Sequence, residues 1–270
     1  MARVELPESR LRLRKRRRRL RIGLVLGAFL LLVFAGVVGL SRIPAIQIRS
    51  VLVSGAQTLS STTIASFVDE RLEGNYLWLF PKRNIFLYPK REIGAALLAA
   101  YPSLSSADVH ANDFQSIVAL VVERSPRALW CPAPAASGCY FMDENGVVYE
   151  GAPTFSEPIY LRYAGEAAGK ALPRQFLSPE DFQALSALVD AIAQKLEGER
   201  VDHVSVDAEQ DVRIMFVSGF ALLFRLDDPG GDIFERLSLA LTADPLLTHK
   251  LSDFEYVDLR FGDKLYYKLR

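Results

Sequence analysis

The sequence predicts an α+β protein in four parts: a short basic tail, one transmembrane helix, a small module of strand-helix-helix-strand-strand order, and a β-rich domain of mainly antiparallel strands with two helices. Three observations predict it. Residues 22–40 run nineteen positions without a charge. Between 45 and 124, strand and helix periodicities follow one another as β-α-α-β-β. From 125 to 270, short β-branched and aromatic segments alternate with tight-turn residues, broken by two helical stripes.

The tail, residues 1–21, holds ten of the 32 basic residues and two of the 32 acids, Glu5 and Glu8, so 22 basic and 30 acidic residues remain beyond it. The formal charge of zero therefore hides a tail of about +8 and a remainder of about −8. The apolar run Ile22–Leu40, as a helix, is roughly 28 Å long, close to the hydrocarbon thickness of a bilayer. A cleaved signal peptide is the competing reading. Nineteen residues is long for one, and no A-x-A site follows, so a retained anchor is favoured. The run Arg10–Arg21 abuts it, which keeps the N-terminus cytoplasmic and sends the bulk outward. A basic run also suits nucleic acid. Set against a span, it better suits anionic lipid. Pro44 stops the helix from running on.

Ile46–Val53 reads as a strand closed by Ser54-Gly55. Ser60 or Ser61 is the expected N-cap of a helix carrying Ile64, Phe67, Val68 and Leu72, with Gly74 as its stop. Residues 75–88 interleave aromatic and basic side chains (Tyr76, Trp78, Phe80, Lys82, Arg83, Phe86, Tyr88) between Pro81 and Pro89. This stretch is expected to fill core and form a loop. Contact with a membrane interface or with bases is the other reading. Pro89 starts a second helix with Ile93, Leu97 and Ala100 on one face. Residues 105–111 form a weak strand and 117–122 a strong one, ending at Glu123-Arg124-Ser125-Pro126. The two helices form a crossover covering one face of a three-stranded sheet.

Strands follow at 128–130 and 140–142, joined by the stretch Cys131–Cys139. Asp143–Tyr149 is a hairpin with an Asn145-Gly146 turn. The two cysteines are the whole complement. In an outward-facing loop between adjacent strands they are expected to form a disulfide, contributing at most about 2–3 kcal/mol. Free thiols and half a zinc site are the alternatives. His110, His203 and His249 lie far away in sequence, so no metal is expected. Residues 151–177 form a Pro/Gly-rich connection containing Ile159-Tyr160-Leu161. Ser178-Pro179-Glu180-Asp181 starts a helix with the stripe Phe182, Leu185, Val189, Ile192 and Leu196, ended by Gly198. Strands at 201–206, 212–217 and 220–226 pair as antiparallel neighbours. A helix covers 232–243, and 254–261 with 264–269 form a C-terminal hairpin around Gly262-Asp263.

Three segments carry a family resemblance: V-S-G-A at 53–56, Val121–Ala128 followed by Asp143–Val148, and Tyr256-Val257-Asp258-Leu259-Arg260-Phe261. In that order they resemble the FtsQ/DivIB family of bacterial cell-division proteins. Phe261 stands where the family has Tyr, the following turn is shorter, and the aromatic insertion at 79–90 is longer. The resemblance implies a POTRA domain at 45–124 and a C-terminal β domain at 125–270. It implies a single-pass protein of the bacterial inner membrane at the division site. It further implies a divisome scaffold that joins FtsB-like and FtsL-like partners and, through them, septal peptidoglycan synthases. Tyr256, Asp258, Arg260 and Phe261 match the family's contact motif, and Leu265, Tyr266 and Tyr267 lie on the terminal strand implied to bind the FtsB-like partner.

No G-x-S-x-G, H-E-x-x-H, P-loop or G-x-G-x-x-G is present. The acids Asp207, Glu209, Asp211, Asp227 and Asp228 fall in predicted turns and are expected to be solvated, and His203, with no obvious partner in sequence, is expected to be a surface or satisfied histidine rather than a catalyst. No catalysis, cofactor or nucleic-acid partner is expected. A terminal strand can accept a partner's strand along its edge. The alternative function is a membrane-anchored POTRA chaperone or secretion-pathway component; the absence of a barrel-length run of strands disfavours it.

Overall fold

The computed structural model describes residues 10–132 and 138–270. Residues 1–9 of the tail and the centre of the Cys131–Cys139 loop lie outside the described residues, as do the side chains of residues 10–16. The chain forms two compact units, residues up to 100 with 106–123, and residues 101–105 with 124–270.

The first unit opens with α1 (Arg10–Ser41). It starts within the basic tail, since Arg, Lys and Leu are good helix formers. Its stretch Arg17–Ser41 is long and apolar enough to cross a membrane, and it is not buried in protein. Pro44 then opens a short 3-10 turn over Pro44–Ile46. The expected strand therefore starts late, as β1 (Ser50–Ser54). After α2 (Ser61–Arg71) come a two-residue pair, β2 (Asn75–Tyr76) and β3 (Phe80–Pro81), then α3 (Lys90–Ala100), β4 (Leu104–Ala111) and β5 (Ser116–Glu123). Ser60 stands at the start of α2, but its hydroxyl makes no cap bond; it lies 2.6 Å from the Thr62 hydroxyl instead.

The sheet runs β1-β5-β4, with β1 parallel to β5 in the register Val51↔Ile117 and Val53↔Ala119. A parallel pair needs a long crossover, and α2 with α3 supplies it. Ile64, Val68, Leu72, Ile93, Leu97, Ile117, Ala119 and Val121 are buried between helices and sheet. Ala100, expected on that face, is exposed; it ends the helix, beyond the reach of the sheet. Gly55 holds φ +91°, and a Cβ there would sit 2.0 Å from the Val121 carbonyl, so only glycine fits. The Glu123 carboxylate accepts the backbone N–H groups of Gln57 (2.8 Å), Thr58 (3.0 Å) and Leu59 (3.0 Å), and the Thr58 hydroxyl. Burial would raise its pKa. The Thr58 hydroxyl and these amides outweigh burial and hold it at about 2.

The second unit contains β6 (Ala128–Trp130), β7 (Tyr140–Met142), β8 (Val147–Gly151), β9 (Arg162–Ala164), β10 (Arg174–Gln175), α4 (Pro179–Lys195), β11 (Val201–Val206), β12 (Asp211–Phe216), β13 (Ala221–Arg225), α5 (Gly230–Ala240), β14 (Phe254–Phe261) and β15 (Lys264–Leu269). Among the described residues these strands form one sheet in the order β10-β8-β7-β6-β9-β11-β12-β13-β14-β15. Most pairings are antiparallel. β9 runs parallel to both β6 and β11, and β13 parallel to β14. α4 lies in the connection between β9 and β11, and α5 in that between β13 and β14, as parallel pairing demands.

The β9 strand falls inside the predicted loop 151–177 and stands mid-sheet. Its one inward side chain, Tyr163, is 1 % exposed and meets Phe182 at 5.3 Å and Phe176 at 6.0 Å. A three-residue strand gives alternation no room to show. The α4 stripe and Ile233 and Leu237 of α5 bury against Val204, Val212, Ile214, Leu222, Val257 and Leu259. Each such side chain contributes roughly 1.5–3 kcal/mol by burial. Ser178 caps α4, its hydroxyl accepting from the Asp181 amide at 3.1 Å. Gly146 (φ +73°) turns the β7–β8 hairpin, and the Asp143 carboxylate accepts the Asn145 and Val147 amides at 2.9 Å.

Candidate functional site

The last two strands form the candidate site. β14 and β15 pair across the tight turn at Gly262 (φ +61°), with Val257↔Tyr267, Asp258↔Tyr266 and Phe261↔Lys264 opposite one another. Lys268 braces the pair through Glu255 at 2.6 Å. β15 is the last strand of the sheet, so among the described residues its outer side faces no further strand.

The side chains picked out by sequence divide into two groups. Asp258 is 4 % exposed, far inside for an acid. It takes a two-pronged contact from Arg260, Nε to Oδ1 at 2.9 Å and Nη2 to Oδ2 at 2.6 Å. Arg260 also donates to the Asp211 carboxylate of β12. The guanidinium thus ties β14 to β12 across β13. Burial would raise the Asp258 pKa; the Arg260 contacts outweigh it and leave the pKa lowered. Both residues organise the strand, and Tyr256 is half-buried beside them.

The outward group is apolar. Phe261 is 54 % exposed and stacks edge-on with Tyr266 (50 % exposed) at 5.0 Å. On the opposite face, Tyr267 meets Phe254 edge-on at 5.8 Å, and Leu265 packs on the core. That face borders a groove of about 480 Å³ between α5 and β15, walled by Leu239, Ala240, Leu246, Leu265 and Tyr267. Arg236 closes its floor, donating to the Leu259 carbonyl at 2.8 Å and pairing with Asp228 at 2.6 Å. Sequence reasoning missed Leu239 and Arg236; the cue was their place one turn apart near the end of a helix followed by an exposed Leu247.

Two expectations for acids need correction. Asp211, at the start of β12, is held by Arg260 from β14, and Asp228 by Arg236 eight residues on in α5. His203 has a partner: its Nδ1 lies 2.8 Å from Asp202, which also pairs with Arg162 at 2.5 Å. Among the described residues, no three His, Cys, Asp or Glu side chains gather where a metal could bind. Cys131 and Cys139 are joined by a disulfide just beyond the Trp130↔Tyr140 pair of β6 and β7. Elsewhere in this unit Arg124 pairs with the buried Asp143 at 2.5 Å, bringing together two segments that carried the family resemblance.

The model of the family "Cell division protein FtsQ/DivIB, C-terminal" matches residues 133–260. These residues carry an FtsQ/DivIB C-terminal domain. No curated protein matches the chain. The matched region runs from the β6–β7 loop to Arg260, and so covers most of the sheet that positions the C-terminal edge. The matched domain supports a cell-division role.

Proposed function

We propose that this FtsQ/DivIB chain is a non-catalytic, membrane-anchored scaffold of the septum-forming machinery. In this reading α1 spans the inner membrane once, residues 1–21 stay cytoplasmic beside anionic lipid, and everything from residue 42 on lies outside. Its order β-α-α-β-β supports reading 45–124 as a POTRA domain, with 125–270 as the partner-binding β domain.

The β15 edge takes a strand from an FtsB-like partner that arrives with an FtsL-like one, and septal peptidoglycan synthases are reached through them. The observation that carries this reading is the position of β15: last in the sheet, with exposed aromatic side chains on one face and an apolar groove on the other. Backbone groups along such an edge supply affinity, and pockets for alternate side chains supply specificity. Aromatic anchors at its centre fit the residues that dominate interface energies.

Copurification of the full-length chain with its FtsB-like partner tests this. Replacing Tyr266 and Phe261 by Ser is expected to weaken binding at least about tenfold, each truncated anchor costing on the order of 1–2 kcal/mol. Both residues are exposed, so far-UV circular dichroism is expected to stay unchanged. Full partner recovery with the double variant rejects the edge.

A further inference from the structure

Outside α1, four large apolar side chains of the first unit are almost bare, and all lie around the exit of the helix. Leu77 is 86 % and Trp78 89 % exposed, at the tip of the β2–β3 pair; Phe86 is 70 % and Phe114 65 % exposed. Trp78 and Leu77 adopt positive φ, +63° and +47°. For bulky residues this conformation is unfavourable and persists only where the surroundings impose it.

The tip is tied to the helix. Arg42 Nε donates to the Leu79 carbonyl at 3.2 Å and Nη2 to the Trp78 carbonyl at 3.4 Å. The Phe80 ring meets Phe34 of α1 edge-on at 6.2 Å. Asn84, 2 % exposed, donates to the last helix carbonyl, Ser41, at 2.8 Å. Gln115, next to Phe114, donates to the Pro44 carbonyl at 3.1 Å, and the Phe86 and Phe114 rings lie 6.4 Å apart.

These ties fix a depth. Phe34 lies seven residues before Ser41, about 10 Å down the helix at 1.5 Å per residue. The uncharged run ends at Leu40, and Arg42 is the next charge. If α1 spans the bilayer, Phe34 lies inside the hydrocarbon, and Phe80 beside it brings Leu77 and Trp78 to the same boundary. Lys82 and Arg42 stand behind the tip, where cations meet lipid phosphates. Apolar tip, aromatic ring and basic collar together are the composition of a membrane interface.

We infer that the 77–80 hairpin tip, with Phe86 and Phe114, is a foot embedded in the outer leaflet of the bilayer, gripping lipid beside the span. This rests on the reading of α1 as membrane-spanning. The foot fixes the height and tilt of the first unit above the membrane and keeps it from swinging on the short 42–47 connection.

The test uses the full-length chain in phosphatidylcholine/phosphatidylglycerol vesicles, with and without acyl-chain-brominated lipid. The difference in emission between wild type and Trp78→Phe isolates Trp78. Trp130, 4 % exposed in the other unit, contributes equally to both. The foot predicts that brominated lipid removes most of the Trp78 emission, and that acrylamide in the water barely reaches it. Protein that floats with vesicles while Trp78 stays bright and acrylamide-accessible overturns the foot and leaves the spanning helix standing. Protein that fails to float refutes the span and the foot together. Shielding of Trp78 that appears only when a partner protein is added also overturns it, because the occupant is then protein.

Discussion

At the scale of single residues, Arg260 shows how one side chain organises the site from within its own strand. Its guanidinium holds the buried Asp258 and reaches Asp211 two strands away. Removing it leaves a carboxylate inside the protein without its partner, which costs more than the pair contributes. Arg260→Ala is expected to destabilise the second unit by about 2–4 kcal/mol, read as a lowered unfolding midpoint. Because the lowered pKa belongs to the folded state, this contribution is full above the ordinary carboxylate pKa and is lost as pH falls through the lowered one.

Glu123 plays the matching part in the first unit. Its carboxyl titrates at about 2 against an ordinary 4.5. Glu123→Gln is expected to cost about 1–3 kcal/mol at neutral pH. The gap between variant and wild type should close as pH falls from 4.5 toward 2, since the wild-type carboxylate is then protonated. Thermal melts of both proteins across that range check the sign.

At the scale of elements, what could be read from sequence was what local chemistry dictates. The Asn145-Gly146 turn, the Ser178 cap with Pro179 behind it, and the alternating β14–β15 hairpin each carry their signal within a few residues. Three things escaped. β9 is three residues long, and its place in the sheet is set by Tyr163 packing on a helix some twenty residues later. β1 begins late because Pro44 diverts 44–46 into a 3-10 turn. The Arg260–Asp211 tie joins residues 49 apart in the chain, which no local pattern reveals. The aromatic side chains Phe261 and Tyr266 on one face, and Tyr267 on the other, could be picked out from the sequence. The groove beside them could not, because α5 had to be placed first.

The disulfide is also an element-scale device. It joins the chain at the edge of the β6–β7 pair, closing a short loop. On the proposed topology, Cys131 and Cys139 should resist alkylation until reductant is added, and reduction should lower stability by no more than about 2–3 kcal/mol. Mass spectrometry of the native chain finding two alkylated thiols would refute the pairing.

At the scale of the whole molecule, the charge division matters most. In the proposed topology the basic end abutting the apolar helix keeps the cytoplasmic side. Depleting the protein from its own cells is expected to give filaments or chains without septa, seen by microscopy. Normal division with loss of an outer-membrane or secreted protein would favour a chaperone instead. The proposed binding edge itself is tested most directly by hydrogen exchange of the chain alone and with its FtsB-like partner. Strand addition predicts that amides of residues 264–269 gain protection on binding, while those of β10 at the other edge stay unchanged. Protection that leaves 264–269 untouched and appears elsewhere would contradict it.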